Sequence, residues 1–86
     1  MIEREAGRLV IKVPMVMTNA RGLLEAGRCA LQPGEQIFDL TLVEDADSSA
    51  VAVMLGWLRV ASLSRSTLKF AHIPAGVRSL AELYGV

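Results

Sequence analysis

The chain has 86 residues, with nine basic and nine acidic side chains, and 52% of its residues are hydrophobic. This length predicts one domain over residues 1–86, and the absence of both net charge and a basic run argues against binding to nucleic-acid phosphates. The longest apolar run, residues 50–58, is about half of the ~18 residues that a membrane span needs, and a lone Cys29 fits the cytoplasm.

The chain opens with the pattern of a β-hairpin. Residues 2–5 and residues 9–17 have strand character on either side of a turn at Gly7. Pro14 has no amide hydrogen to donate to a sheet, so the second strand is predicted to lie at an edge or to end there.

A helix is predicted next, and its period of 3.6 residues extends to about Ala30. Thr18 or Asn19 is the expected N-cap, because a short polar side chain can accept a hydrogen bond from the first helical turn. Gly22 and Gly27 lie inside this helix, where each costs about 1 kcal/mol relative to alanine. Close packing against a neighbouring element would explain both glycines.

The second half of the sequence alternates strands and helices. A turn at Pro33-Gly34 precedes a strand over residues 36–43, which is apolar enough to be central. After a long helix come a strand over residues 67–73 and a last helix that Pro74 opens. The apolar stripe of that helix ends at Tyr84, with Gly85 as the stop signal. The order β-β-α-β-α-β-α predicts an α/β sandwich.

The helix in the middle of the chain is apolar on nearly every face. Ser48 or Ser49 is its predicted N-cap, and the preceding acidic residues lie at the positive end of its dipole. Six large apolar side chains then point in all directions: Val51, Val53, Met54, Leu55, Trp57 and Leu58. One side can pack on a sheet, and the other side predicts a docking face for a partner protein.

No residue pattern indicates catalysis. His72 has no nearby nucleophile in the sequence, and Cys29 is typical of a packing residue. Glu44, Asp45 and Asp47 lack the spacing of a calcium loop, and no phosphate-binding glycine loop is present. The expectation is therefore a non-enzyme without metal, nucleotide or other cofactor. Ser48 and Ser49 keep three interpretations: a helix cap, a phosphorylation site, or the centre of a partner surface.

Two short motifs give the sequence a family resemblance. The run FDLT at residues 38–41 and the run DSSA at residues 47–50, which an apolar helix follows, resemble the signature of STAS domains. The resemblance covers essentially the whole chain and implies a STAS-like fold, a mixed sheet of about four strands with helices chiefly on one side. The family includes bacterial anti-sigma-factor antagonists. It also includes the small cytoplasmic subunit of the Mla complex, a phospholipid-transporting ABC transporter that maintains outer-membrane lipid asymmetry.

The two branches imply different roles for the matching serine. In the antagonists it is phosphorylated, which carries over to Ser48, whereas in the transporter subunit this position contacts the ATPase. Ala50 stands where antagonists usually have glycine, and residues 14–17 replace their glycine-acidic motif. Both departures favour the transporter branch.

The resemblance therefore implies a non-catalytic cytoplasmic subunit, peripheral to the inner membrane, that binds and supports the ATPase subunit. The alternative is an anti-sigma-factor antagonist that phosphorylation of Ser48 regulates. Neither role implies insertion into the membrane, and a free docking face predicts self-association of the isolated chain. The candidate interface or phosphorylation residues are Asp47, Ser48, Ser49, Val51, Met54, Trp57 and Leu58.

Overall fold

The structure is a computed structural model that describes residues 1–83. Its elements follow the predicted order, which confirms the α/β class. They are β1 (Ile2–Glu5), β2 (Arg8–Ile11), α1 (Met17–Ala30), β3 (Gly34–Asp39), α2 (Ser48–Leu63), β4 (Ser66–Ala71) and α3 (Ala75–Leu83). Tyr84 and Gly85, the predicted end of the last helix, lie outside the described residues.

The four strands form one mixed sheet in the order β1-β2-β3-β4. β1 and β2 pair antiparallel through a tight turn, in which Ala6 and Gly7 both have positive φ angles, of 50° and 78°. β2, β3 and β4 are parallel to one another, so α1 and α2 serve as their crossover connections. β3 is an inner strand, as its apolar sequence predicted.

The two faces of the sheet differ in character. Alternate residues such as Leu9 and Phe38 point to one face and are buried beneath the helices. The opposite face, called here the open face, carries ion pairs that join Arg8 to Asp39, Lys12 to Glu3 and Glu5, and Lys69 to Glu35. This arrangement confirms the predicted sheet with helices chiefly on one side.

Trp57 of α2 is the centre of the core, with no exposed surface. Its ring meets Phe38 edge-on at a centroid distance of 4.4 Å, and its Nε1 donates to the Leu23 carbonyl at 3.1 Å. A Cβ atom at Gly27 would lie 2.1 Å from that same Nε1. The close packing that was expected to explain Gly27 is therefore present, because α1 and Trp57 touch where glycine has no side chain.

The start of α1 differs from the prediction. β2 ends at Ile11 rather than near residue 17, and Met15 forms only an isolated bridge to Ala46. Neither Thr18 nor Asn19 caps α1, because the helix already begins at Met17 and its N-cap position, Val16, has no side-chain acceptor. The Asn19 side chain instead donates to the Pro14 carbonyl at 2.9 Å. The side-chain hydrogen-bond acceptor for the N-terminus of α1 comes instead from a residue that is distant in the sequence.

Candidate functional site

The N-termini of α1 and α2 meet at the carboxylate of Asp47. Its Oδ1 accepts from the Ser49 amide at 2.8 Å, and its Oδ2 accepts from the Met17 amide at 3.1 Å. Both helices begin at the same edge of the sheet because they follow parallel strands. Two backbone bonds between Met15 and the loop before α2 hold this junction together, Met15 N to Asp45 O at 2.9 Å and Asp47 N to Met15 O at 3.2 Å.

These hydrogen bonds set the charge state of the junction. The Met17 amide, followed by the hydroxyl and amide of Ser49, holds the pKa of the Asp47 carboxyl below its usual value. An ionised carboxylate is also favoured at the positive ends of two helix dipoles. The expectation that Ser48 or Ser49 caps α2 is wrong, since Asp47 occupies the N-cap position.

Ser48 is exposed at the first residue of α2. Within residues 1–83 its hydroxyl forms no hydrogen bond, whereas the neighbouring Ser49 is half-buried. A shallow depression beside Ser48 is lined by Ser49, Val51, Ala52 and Leu55. The hydroxyl of Ser48 is therefore accessible to a partner protein or to a modifying enzyme, and its removal leaves the Asp47 cap intact.

Three of the predicted interface residues belong to the core. Val51, Met54 and Trp57 are only 3%, 8% and 0% exposed. Some of Met54, Trp57 and Leu58 were expected to meet a partner, and the first two are buried inside the domain. The reason is that α2 is enclosed by α1, β4 and α3, rather than by the sheet alone. Leu58 is half-buried, and among these four apolar candidates it retains the most exposed surface.

The accessible side of α2 is a stripe of residues spaced three or four apart. We call it the outer stripe, and it consists of Ser48, Ala52, Leu55, Arg59 and Ser62. Beside its C-terminal half, Leu55, Leu58, Arg59, Ser62 and Leu63 line a shallow concavity, and Leu63 is 89% exposed. Sequence reasoning missed Ala52 and Arg59 as surface residues. Arg59 carried a usable signal, since it is the one charged residue in the sequence of α2.

A groove of about 350 Å³ lies between α2, β4 and α3. Its floor is apolar, with Met54 and Phe70 among its members, and Arg78 and Glu82 of α3 line it with charged side chains. The groove therefore continues the accessible side of α2 toward α3. A surface of this shape and polarity suits contact with protein side chains.

The possible metal ligands and the two candidate reactive side chains, His72 and Cys29, can be located in the described residues. Within residues 1–83, no three His, Cys, Asp or Glu side chains are grouped so that they could hold a metal ion. His72 is exposed just after β4, and Cys29 is exposed on α1. No helix in this range has both the length and the apolarity to cross a membrane.

Comparison with known protein families gives a match over nearly the whole chain. A family model with the description "Mlab, STAS domain" matches residues 2–86, while no curated protein matches the chain. The match covers nearly the entire sequence, and the mixed four-stranded sheet with three helices agrees with the fold that the FDLT and DSSA motifs implied. The chain therefore belongs to the STAS domain family.

Proposed function

We propose that this chain is a non-catalytic subunit that binds and supports the ATPase subunit of a phospholipid-transporting ABC transporter, in the maintenance of outer-membrane lipid asymmetry. STAS domains are generally non-catalytic. The chain would be a single domain that reaches the inner membrane only through this complex. It would bind neither nucleotide nor nucleic acid.

The observation that carries the proposal is the accessible outer stripe of α2. The other sides of this apolar helix pack within the domain, and the stripe runs from the exposed Ser48 past Leu55 to a shallow concavity. An interface of this kind needs apolar contact area with a polar margin, which the stripe and its flanking residues supply. The description of the matching family model supports the Mla branch for the partner.

The test is the affinity for the ATPase subunit of the phospholipid transporter from the same organism. We expect Ser48→Arg to weaken binding about a hundredfold or more, because it introduces bulk and an unpaired charge at the start of the stripe. Ser48→Ala should change the Kd less than about fivefold and should leave Tm unchanged, since Asp47 is the cap. Thr67→Arg on the open face is the matched control.

Two results would count against the proposal. A wild-type chain that does not bind the ATPase subunit at physiological salt would refute the proposed partner. Binding of the Ser48→Arg variant with wild-type affinity would refute this surface as the docking site.

One observation supports a second candidate, an anti-sigma-factor antagonist. The Ser48 hydroxyl is exposed and forms no hydrogen bond within residues 1–83, so a kinase could reach it. The acidic loop that precedes it disfavours an added phosphate through like-charge repulsion. Mass spectrometry of the protein from its own cells separates the two roles, because a substantial phosphorylated fraction at Ser48 would favour the antagonist.

A further inference from the structure

Arg59 is the single charged residue among the sixteen residues of α2. It lies in the outer stripe between Leu55 and Ser62, and it lines the shallow concavity beside Leu63. The Arg59 side chain is exposed. Arginine is enriched among the residues that dominate protein interfaces, since its planar guanidinium can form two hydrogen bonds with one carboxylate.

The ion pairs of the molecule are distributed unevenly. Those of the sheet lie on the open face, where Lys69 pairs with Glu35 and Arg8 pairs with Asp39. On the helical side, Arg28 pairs with Glu25 within α1. In contrast, Arg59 has no ion-pair partner within the described residues 1–83, and neither have Arg21 and Arg78 on the adjacent helices. The helical side thus presents arginines that the fold itself does not neutralise, and Glu44 and Asp45, in the loop before α2, are exposed acids that likewise have no ion-pair partner within residues 1–83.

We propose that Arg59 determines partner specificity and binds a carboxylate of an acidic, apolar-centred protein surface. This inference rests on the proposed function, so the acidic surface would belong to the ATPase subunit. An aspartate or glutamate of the partner would enter the concavity beside Arg59, while apolar side chains around it cover Leu55 and Leu63. Charge complementarity would then fix the register of the partner along the stripe.

Two other occupants fit less well. A second copy related by a two-fold axis that passes near Arg59 would bring Arg59 toward Arg59, which like charges oppose. An anionic membrane would attract Arg59 but repel Glu44 and Asp45, which are exposed in the loop before α2. A flat lipid surface would also leave the concavity beside Arg59 unfilled, whereas a protein side chain can enter it.

The experiment measures the Kd for the purified ATPase subunit at several salt concentrations. We expect Arg59→Glu to weaken binding about a hundredfold and Arg59→Ala about tenfold, with Arg59→Lys between Ala and wild type. Wild-type affinity should fall with increasing salt, and Arg59→Ala should flatten that dependence because it removes the charge. Lys69→Glu on the open face makes the same charge change and should bind like wild type.

The outcomes distinguish this inference from the proposed function. If Arg59→Glu binds within about twofold of wild type while Ser48→Arg does not bind, the inference is wrong and the docking face stands. If the wild type does not bind the ATPase subunit, both the inference about Arg59 and the proposed function are wrong. Sedimentation of the wild type, but not Arg59→Glu, with phosphatidylglycerol vesicles would assign the arginine to a membrane surface and overturn the inference.

Discussion

At the scale of single residues, Asp47 has the most consequential contacts. One carboxylate accepts from two helix N-termini, and each oxygen serves a different helix. The pKa of Asp47 is lowered in the folded chain, chiefly by the Met17 amide. Its stabilising effect is therefore fully present above the ordinary pKa of 3.8 and is lost as the pH falls through the lower folded value.

Asp47→Asn should lower Tm by several degrees at neutral pH. Asparagine is a good helix cap, but it has one side-chain oxygen, so either α1 or α2 loses its acceptor. The variant should also lose part of the acid sensitivity of Tm, because an amide does not titrate. The remaining acid sensitivity of Tm should come from Asp39, because the Thr41 hydroxyl and amide lower the pKa of that carboxyl too.

Asp45→Asn is the control for this measurement. Its side chain accepts no hydrogen bond within residues 1–83, and it lies two residues from Asp47 in the same loop. Thermal unfolding of both variants between about pH 2 and pH 7 follows the carboxylate from its ionised form into the range below 3.8 in which it loses its charge. Equal Tm curves for Asp47→Asn and wild type would contradict the shared cap.

The shared cap also shows what sequence can predict at this scale. Asp, Ser and Asn are all favoured N-caps, and Asp47 and Ser48 are adjacent, so local preference did not separate them. The choice depends on the Met17 amide, which is 30 residues away and needs the second oxygen of a carboxylate. That requirement arises only when β2 and β3 pair in parallel.

At the scale of elements, two glycines determine how closely α1 and α2 pack. A Cβ at Gly27 would lie 2.1 Å from Trp57 Nε1, in a ring that Phe38 confines. A Cβ at Gly56 would lie 2.6 Å from Cδ1 of Leu24, whose side chain is flexible and 37% exposed. The two sites therefore differ in whether the neighbour can move.

Gly27→Ala should lower the free energy of unfolding by at least about 2 kcal/mol, because the buried indole must shift and its hydrogen bond to Leu23 is strained. Gly56→Ala should remain within about 1 kcal/mol of wild type, since Leu24 can rotate outward and alanine favours the helix. Denaturant unfolding of both variants checks this. A Gly56→Ala variant as unstable as Gly27→Ala would contradict the packing of the two helices.

The order of the elements could be predicted because most of them have a clear period and several of the turns between them carry Gly or Pro. Which faces of α2 are buried and which are exposed could not be predicted. A helix that is apolar all round does not reveal how many neighbours it has, and α3 covers a side that sequence reasoning left for a partner. Met54 and Trp57 were consequently included among the candidates for a partner surface, while Ala52 and Arg59, which are exposed, were overlooked.

At the scale of the whole molecule, the domain has two different sides. The open face of the sheet carries its charges in ion pairs, whereas the helical side has the outer stripe, the groove and arginines without an ion-pair partner in the part of the chain that the structure describes. An open face whose charges are already paired has little to gain from a partner. Self-association of the isolated chain stays a prediction, and the burial of Met54 and Trp57 reduces the apolar surface that would drive it.

The central claim is that the outer stripe contacts the ATPase subunit, and site-specific photo-cross-linking tests it most directly. A benzophenone side chain would replace Ala52 in the middle of the stripe, or Thr67 on the open face as the control; both positions are exposed. In the reconstituted transporter, we expect the probe at position 52 to cross-link to the ATPase subunit and the probe at position 67 to give no such product. Cross-linking from position 67 but not from position 52 would contradict the claim.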